Sequence, residues 1–308
     1  MLSSIQNLST VFVFAIALLL MGYQAKPAPT PPETLERLQT FTFENSAYIK
    51  DKTYQVMLPA NYQDKSNKSY PVIYMMDCQN LFFDSLSYSK HAWRVDQVLD
   101  SLIEQKETKA AIIVGINNAG TERFLEYMPQ APVESLPQAA QDSLASSTGG
   151  LVFSDQFLQF LTKELKPLID ETFRTLPDQE NTIIAGSSMG GLISMYAGCE
   201  YPEVFGTSLC LSTHWPIAMD DSAPIIPASI LGYFTEKLPQ HHRWYFDYGT
   251  EGLDQYYEKY QLQVDSIARA AGYNAQNYYS QKFDGHDHNE ASWYSRLALP
   301  LTFALAVD

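Results

Sequence analysis

NTIIAGSSMGG (Asn181–Gly191) is the stretch on which the reading of this 308-residue chain turns. Thr182, Ile183, Ile184 and Ala185 are apolar and β-branched enough to form a buried strand, which breaks at Gly186-Ser187-Ser188-Met189-Gly190, a match to G-x-S-x-G. The pattern puts Ser188 at the tip of a turn from strand to helix. Glycines two residues either side have a steric reason, because side chains there would collide in so sharp a turn. Leu192–Glu200 holds good helix formers, so backbone N–H groups at a helix start face any negative charge that develops near Ser188. Five residues alone are a weak signal, but the strand before, the helix after and the extra Gly191 are the context the motif requires.

Working outward, strands and helices alternate. Thr53–Leu58 and Tyr70–Met76 read as strands, Trp93–Lys106 as an amphipathic helix, and Ala110–Ile116 as another buried strand. Met128–Gly150 has Pro, Ser and Gln without periodicity and reads as a long loop; Ser154–Phe173 reads as a helix bent at Pro167. Beyond the elbow come a strand at Thr207–Leu211, irregular chain to His242, a strand at Arg243–Tyr248, a helix at Asp254–Ala270, a strand at Asn277–Phe283 and a closing helix at Trp293–Ala306. The fold class is therefore α/β, with a mostly parallel central sheet flanked by helices on both faces.

Composition bounds the rest. With 45% hydrophobic residues the chain can bury a large core, and a net charge of −15 disfavours nucleic acid as a partner. Val11–Met21 is an uninterrupted apolar run, shorter than a bilayer requires, so residues 1–25 are expected to be a signal peptide, with an uncleaved anchor as the alternative. Residues 26–40, with KPAPTPP at Lys26–Pro32, read as a tether, and 41–308 as a single catalytic domain. The expected location is periplasmic or secreted, without stable membrane insertion after cleavage. Cys78, Cys199 and Cys210 are an odd number in apolar or motif surroundings and read as buried thiols, a bridge between Cys199 and Cys210 being the alternative.

A serine nucleophile needs a base and an acid that orients the base, and in sheets of this kind they follow in the order Ser, Asp or Glu, His. Both loops exist. Gly249–Asp254 offers Asp254, with Glu251 as the alternative acid, and Asp284–Glu290 offers His288, with His286 less favoured. Asp247 lies within its strand and reads as structural. The oxyanion donors are expected to be the backbone N–H of Met189 and that of Cys78 or Gln79, in the loop after the early central strand. Trp215, His214 and Arg123 are candidates for the substrate pocket. His286, Asp287, His288 and Glu290 lack the ligand pattern of a metal site, and no cofactor is called for.

YPVIYMMDCQNLFFD (Tyr70–Asp84), IIVGINN (Ile112–Asn118), GSSMGG, LSTHWP (Leu211–Pro216), DYGTEGLD (Asp247–Asp254) and HNEASW (His288–Trp293) together resemble the putative esterase, or esterase D-like, family of α/β-hydrolases. That family includes siderophore, feruloyl and acetylxylan esterases, S-formylglutathione hydrolases and mycolyltransferases. The resemblance covers roughly Tyr54–Ala306. It implies an α/β-hydrolase fold, Ser188 as nucleophile, His288 as base and an acid in Gly249–Asp254. Two positions depart from it: Cys78 stands where many relatives carry Gly, and Gly252 where many carry the acid. The expected activity is a serine carboxylesterase acting through an acyl-enzyme on a small-molecule or polysaccharide-linked ester. Acyl transfer, siderophore hydrolysis and a binding protein without chemistry are the rival readings.

Overall fold

Strand β5 (Thr182–Ser187), which ends at the elbow, lies inside an eight-stranded sheet. In a computed structural model that describes residues 36–64, 67–217 and 224–307, the strand order is β1-β2-β4-β3-β5-β6-β7-β8. The strands are β1 (Leu38–Phe43), β2 (Lys52–Met57), β3 (Val72–Met76), β4 (Ile112–Ile116), β5, β6 (Thr207–Leu211), β7 (Arg243–Gly249) and β8 (Tyr278–Phe283). β1 and β2 pair antiparallel, as do β2 and β4; every pair from β4 to β8 is parallel. The carboxyl ends of β3 to β8 thus open on one edge of the sheet, where open α/β sheets bind ligands.

Every residue of β3, β4, β5 and β6 is buried, because helices cover both faces and the strands need no polar side. Alternation survives inside these runs. Val72, Tyr74 and Met76 enter one core, with Phe157, Tyr196 and Trp244, while Ile73 and Met75 enter the other, with Trp93, Trp293 and Leu301. Each fully buried aliphatic side chain contributes about 1.5–3 kcal/mol.

Three expectations are corrected. The stretch Met128–Gly150 is not a loop: helices occupy Gln130–Glu134 and Gln138–Thr148. Pro129 and Pro137, which read as breakers, stand at their N-caps, where the missing N–H costs nothing. The irregular chain before His242 contains a helix at Ile225–Lys237, whose Ser229 hydroxyl donates to the Pro132 carbonyl at 2.7 Å. β1 starts at Leu38, inside the stretch assigned to the tether; Phe41 stacks on Tyr54 of β2 with ring centroids 5.3 Å apart. The proposed signal segment, 1–25, lies outside the described residues.

Other features follow the sequence. The bend expected at Pro167 takes the form of a π-helical turn over Leu161–Leu165. The closing helix is two, Glu290–Arg296 and Ala298–Leu305, the first capped by Asn289, whose side chain accepts from the Ser292 N–H at 2.9 Å. All three cysteines are free and buried, so no bridge joins Cys199 to Cys210. Among the described residues no helix is long and apolar enough to cross a membrane.

The departure at Cys78 has a steric complement. The Cys78 thiol, which donates to Gln55 Oε1 at 3.2 Å, fills the space over Gly115 of β4, where a Cβ would lie 2.5 Å from the sulfur. Gly115→Ala is expected to destabilise the fold by about 1–3 kcal/mol, and adding Cys78→Ala to recover part of the loss; urea unfolding of the two variants checks this. His242 behaves as a buried neutral group: its Nε2 lies 2.9 Å from Ser208 Oγ, its ring packs on Trp244 at 4.2 Å, and burial pushes its pKa down to about 3. The unfolded chain therefore binds more protons below about pH 6.5, so stability falls on acidification from there towards pH 4. The urea midpoint should drop over that window, and less steeply in His242→Gln; a flat wild-type profile would contradict the assignment.

Candidate active site

The elbow is built by close approach. A Cβ on Gly186 would lie 2.5 Å from the Gly190 carbonyl oxygen, so only glycine lets the helix Met189–Glu200 start directly above β5. Ser188 takes φ 59° and ψ −124°, a left-handed conformation that costs a serine about 1–3 kcal/mol. The turn is held by backbone bonds: the Ser188 N–H donates to the Leu211 carbonyl at 3.0 Å, and the Ser188 carbonyl accepts from Leu192 at 3.0 Å and His214 at 3.2 Å.

Two later loops bring their side chains to Ser188. His288, after β8, lies with Nε2 2.9 Å from Ser188 Oγ, and its Nδ1 is 2.6 Å from Asp254 Oδ1. Asp254 sits in the 3-10 turn Gly252–Tyr256, after β7, and is fully buried. Burial opposes its ionised form, but hydrogen bonds from His288, Ser212 and the Gly249 N–H outweigh that and hold its carboxyl below the usual range. The His288 ring is clamped edge-on by Trp293 at 5.0 Å and Tyr257 at 5.6 Å. Of the alternatives, Glu251 is exposed, with its backbone N–H on the His286 carbonyl. His286 packs on Phe283, away from the array, and its Nδ1 lies 3.5 Å from Ser295 Oγ.

A cavity of about 740 Å³ opens beside this array. Gln79, Asn118 and Arg123 give it a polar side, and Leu86, Tyr88 and Leu253 an exposed apolar rim. Of the two candidate oxyanion donors after β3, Gln79 lines the cavity, whereas the Cys78 side chain is turned into the sheet. Met189 begins the helix above Ser188. Arg123 also lines the cavity, but its guanidinium is held by Asp77 through two hydrogen bonds of 2.7 Å; burial opposes its charge, and the Asp77 carboxylate outweighs that and keeps it protonated.

Trp215 is not a pocket residue. It is 1% exposed, packs on Phe246 at 5.9 Å, and donates its indole N–H to Gln261 at 3.1 Å. The reason is the turn after β6, which sends Trp215 into the core below. His214 lies behind the array rather than on the cavity wall: its Nδ1 is 2.6 Å from the Tyr257 hydroxyl, and burial pushes its pKa down to about 4. The Tyr257 hydroxyl also lies beside Ser188. Sequence reasoning missed Ser212 and Arg296, which surround Asp254; no spacing rule marks residues that approach only through the tertiary fold.

Comparison with known proteins gives the arrangement a context. Residues 46–303 match the protein family described as Putative esterase. Ferri-bacillibactin esterase BesA of Bacillus subtilis (strain 168) is 26% identical over 194 residues, covering 60% of this chain and 61% of that protein. The uncharacterized protein YbbA of the same organism is 26% identical over 156 residues, and this chain spans 54% of its length. Among solved structures, a ferulic acid esterase superposes with a TM-score of 0.61 at 20% identity, covering 87% of this chain and 97% of that one. The enterobactin esterase FES of Shigella flexneri gives 0.66 at 16% identity, covering 92% and 61%. These likenesses show an α/β-hydrolase fold, and the family match over most of the chain shows that it belongs to the esterase family so described.

Proposed function

We propose that the chain is a serine carboxylesterase in which Ser188 is the nucleophile, His288 the base and Asp254 the acid. The observation that carries this is the unbroken array from Ser188 Oγ through His288 to Asp254, at 2.9 and 2.6 Å, beside an open cavity. Ser188 Oγ attacks the ester carbonyl while its proton passes to His288 Nε2, and the imidazolium is held through Nδ1–H by Asp254. The oxyanion is stabilised by the Met189 N–H at the helix start and by an N–H of the loop after β3, Gln79 or Cys78; one such donor is worth about 10²–10³ in rate. His288 returns the proton to the leaving alcohol, and water, activated by the same histidine, releases the acid.

Within that reading the substrate is an ester with an aromatic acyl part. Support comes from the rim of Leu86, Tyr88 and Leu253 over a polar floor, and from the relatives' names, ferulic acid esterase among them. The chain works outside the cytoplasm in this proposal, on the strength of the apolar run Val11–Met21.

The test is burst kinetics with p-nitrophenyl acetate and butyrate. A burst followed by slower turnover is expected, with Ser188→Ala reducing kcat by at least about 10³-fold. Asp254→Asn is expected to cost about 10²–10⁴-fold, and Glu251→Gln about twofold at most, as for an exposed side chain. Equal losses in the last two would remove Asp254 from its role.

A further inference from the structure

Ser212, the residue after β6, has a φ of 40°, strained for a serine, and its side chain is fully buried. A hydroxyl has one proton to donate and two lone pairs. Both lone pairs are taken, by the Trp293 indole N–H at 2.9 Å and the Arg296 Nη2–H at 2.7 Å. The proton is thereby directed to the remaining partner, Asp254 Oδ2, at 2.6 Å. Oδ2 also accepts the Gly249 N–H at 2.5 Å, which leaves Oδ1 facing His288.

The charge balance points the same way. Arg296 is 3% exposed and pairs with Asp247 Oδ1 at 2.9 Å, while it comes no closer than 3.7 Å to Asp254. Asp247 Oδ2 accepts from the Tyr245 hydroxyl at 2.9 Å, and Oδ1 also accepts from the Ser212 N–H at 3.1 Å. The guanidinium is thus neutralised by one carboxylate and leaves the charge of the other to the imidazole.

We propose that Ser212 is a positioning residue: its hydroxyl, oriented by Trp293 and Arg296, locks the Asp254 carboxylate in the rotation that presents Oδ1 to His288, while Asp247 absorbs the charge of Arg296. The inference rests on the Ser188–His288–Asp254 reading. Besides Asp254, the groups facing His288 are His214 and Tyr257 from the β6 and β7 loops, Asp287 and Glu290 beside it in the chain, and the Asp77–Arg123 pair across the cavity. None of these changes in the variants below.

The experiment compares the full chain with Ser212→Ala and Asp247→Asn by ester kinetics and by ¹⁵N-histidine NMR titration of His288, folding being checked by circular dichroism. Ser212→Ala is expected to lower kcat about tenfold to a hundredfold at unchanged KM, the size of one lost hydrogen bond to a charged group. It should raise the His288 midpoint, since Asp254 keeps more charge for the imidazolium. Asp247→Asn should lower that midpoint, because the guanidinium is no longer cancelled. A merely structural role would move kcat through folding alone and leave both midpoints in place. Unchanged kcat and midpoint in Ser212→Ala, or midpoints moving in the same direction, would overturn the proposal. If Asp247→Asn does not fold, Ser212→Ala decides alone: a raised midpoint supports the proposal and an unmoved one ends it. If the wild type turns over no ester, the esterase reading fails, while the titration, which needs no turnover, still decides the role of Ser212.

Discussion

The contact between Gly186 and Gly190 is the constraint on which the rest depends. With the Gly190 carbonyl where a Cβ of Gly186 would sit, strand β5 passes into its helix with no intervening loop. That reversal forces Ser188 into a left-handed conformation and puts its hydroxyl at the carboxyl edge of the sheet. The strain is tolerated because neighbours over-determine the turn: β6 holds the Ser188 N–H, and the helix and the β6 loop hold its carbonyl. Parallel pairing then does the positioning, since β6, β7 and β8 each release a loop at that same edge.

Burial concentrates charge at this edge. Asp254 and Asp247 are both buried carboxylates, and each is tied down by hydrogen bonds rather than left to solvent. Isolated charges so placed would cost several kcal/mol each, so their survival requires the fixed partners seen around them. Across the cavity the same rule applies to Asp77, whose left-handed backbone and two bonds to Arg123 hold the loop after β3 against the elbow. The cavity is thus walled by groups whose positions are set before any substrate arrives, the condition for electrostatic stabilisation without reorganisation.

Much of this was legible in the sequence, and the misses have physical causes. The elbow, the parallel strands and the order Ser188, Asp254, His288 were readable because strand-to-helix turns and buried strands leave local signatures. The choice of Asp254 over Glu251 was not local; it depends on the 3-10 turn that folds Asp254 inward and leaves Glu251 in solvent. Pro129 and Pro137 misled because proline looks the same at a helix start as in a loop. Trp215 misled because its neighbours in sequence belong to the site while its own side chain falls on the core side of the turn. Ser212, Asp247 and Arg296 meet across 84 residues of chain, and no period or motif announces such a contact.

The central claim is that Ser188 is the reacting nucleophile, and the most direct measurement is labelling with a fluorophosphonate followed by peptide mass mapping. One adduct per chain is expected, on Ser188, formed faster as the base is deprotonated. An adduct on another residue, or none in a folded protein, would contradict it.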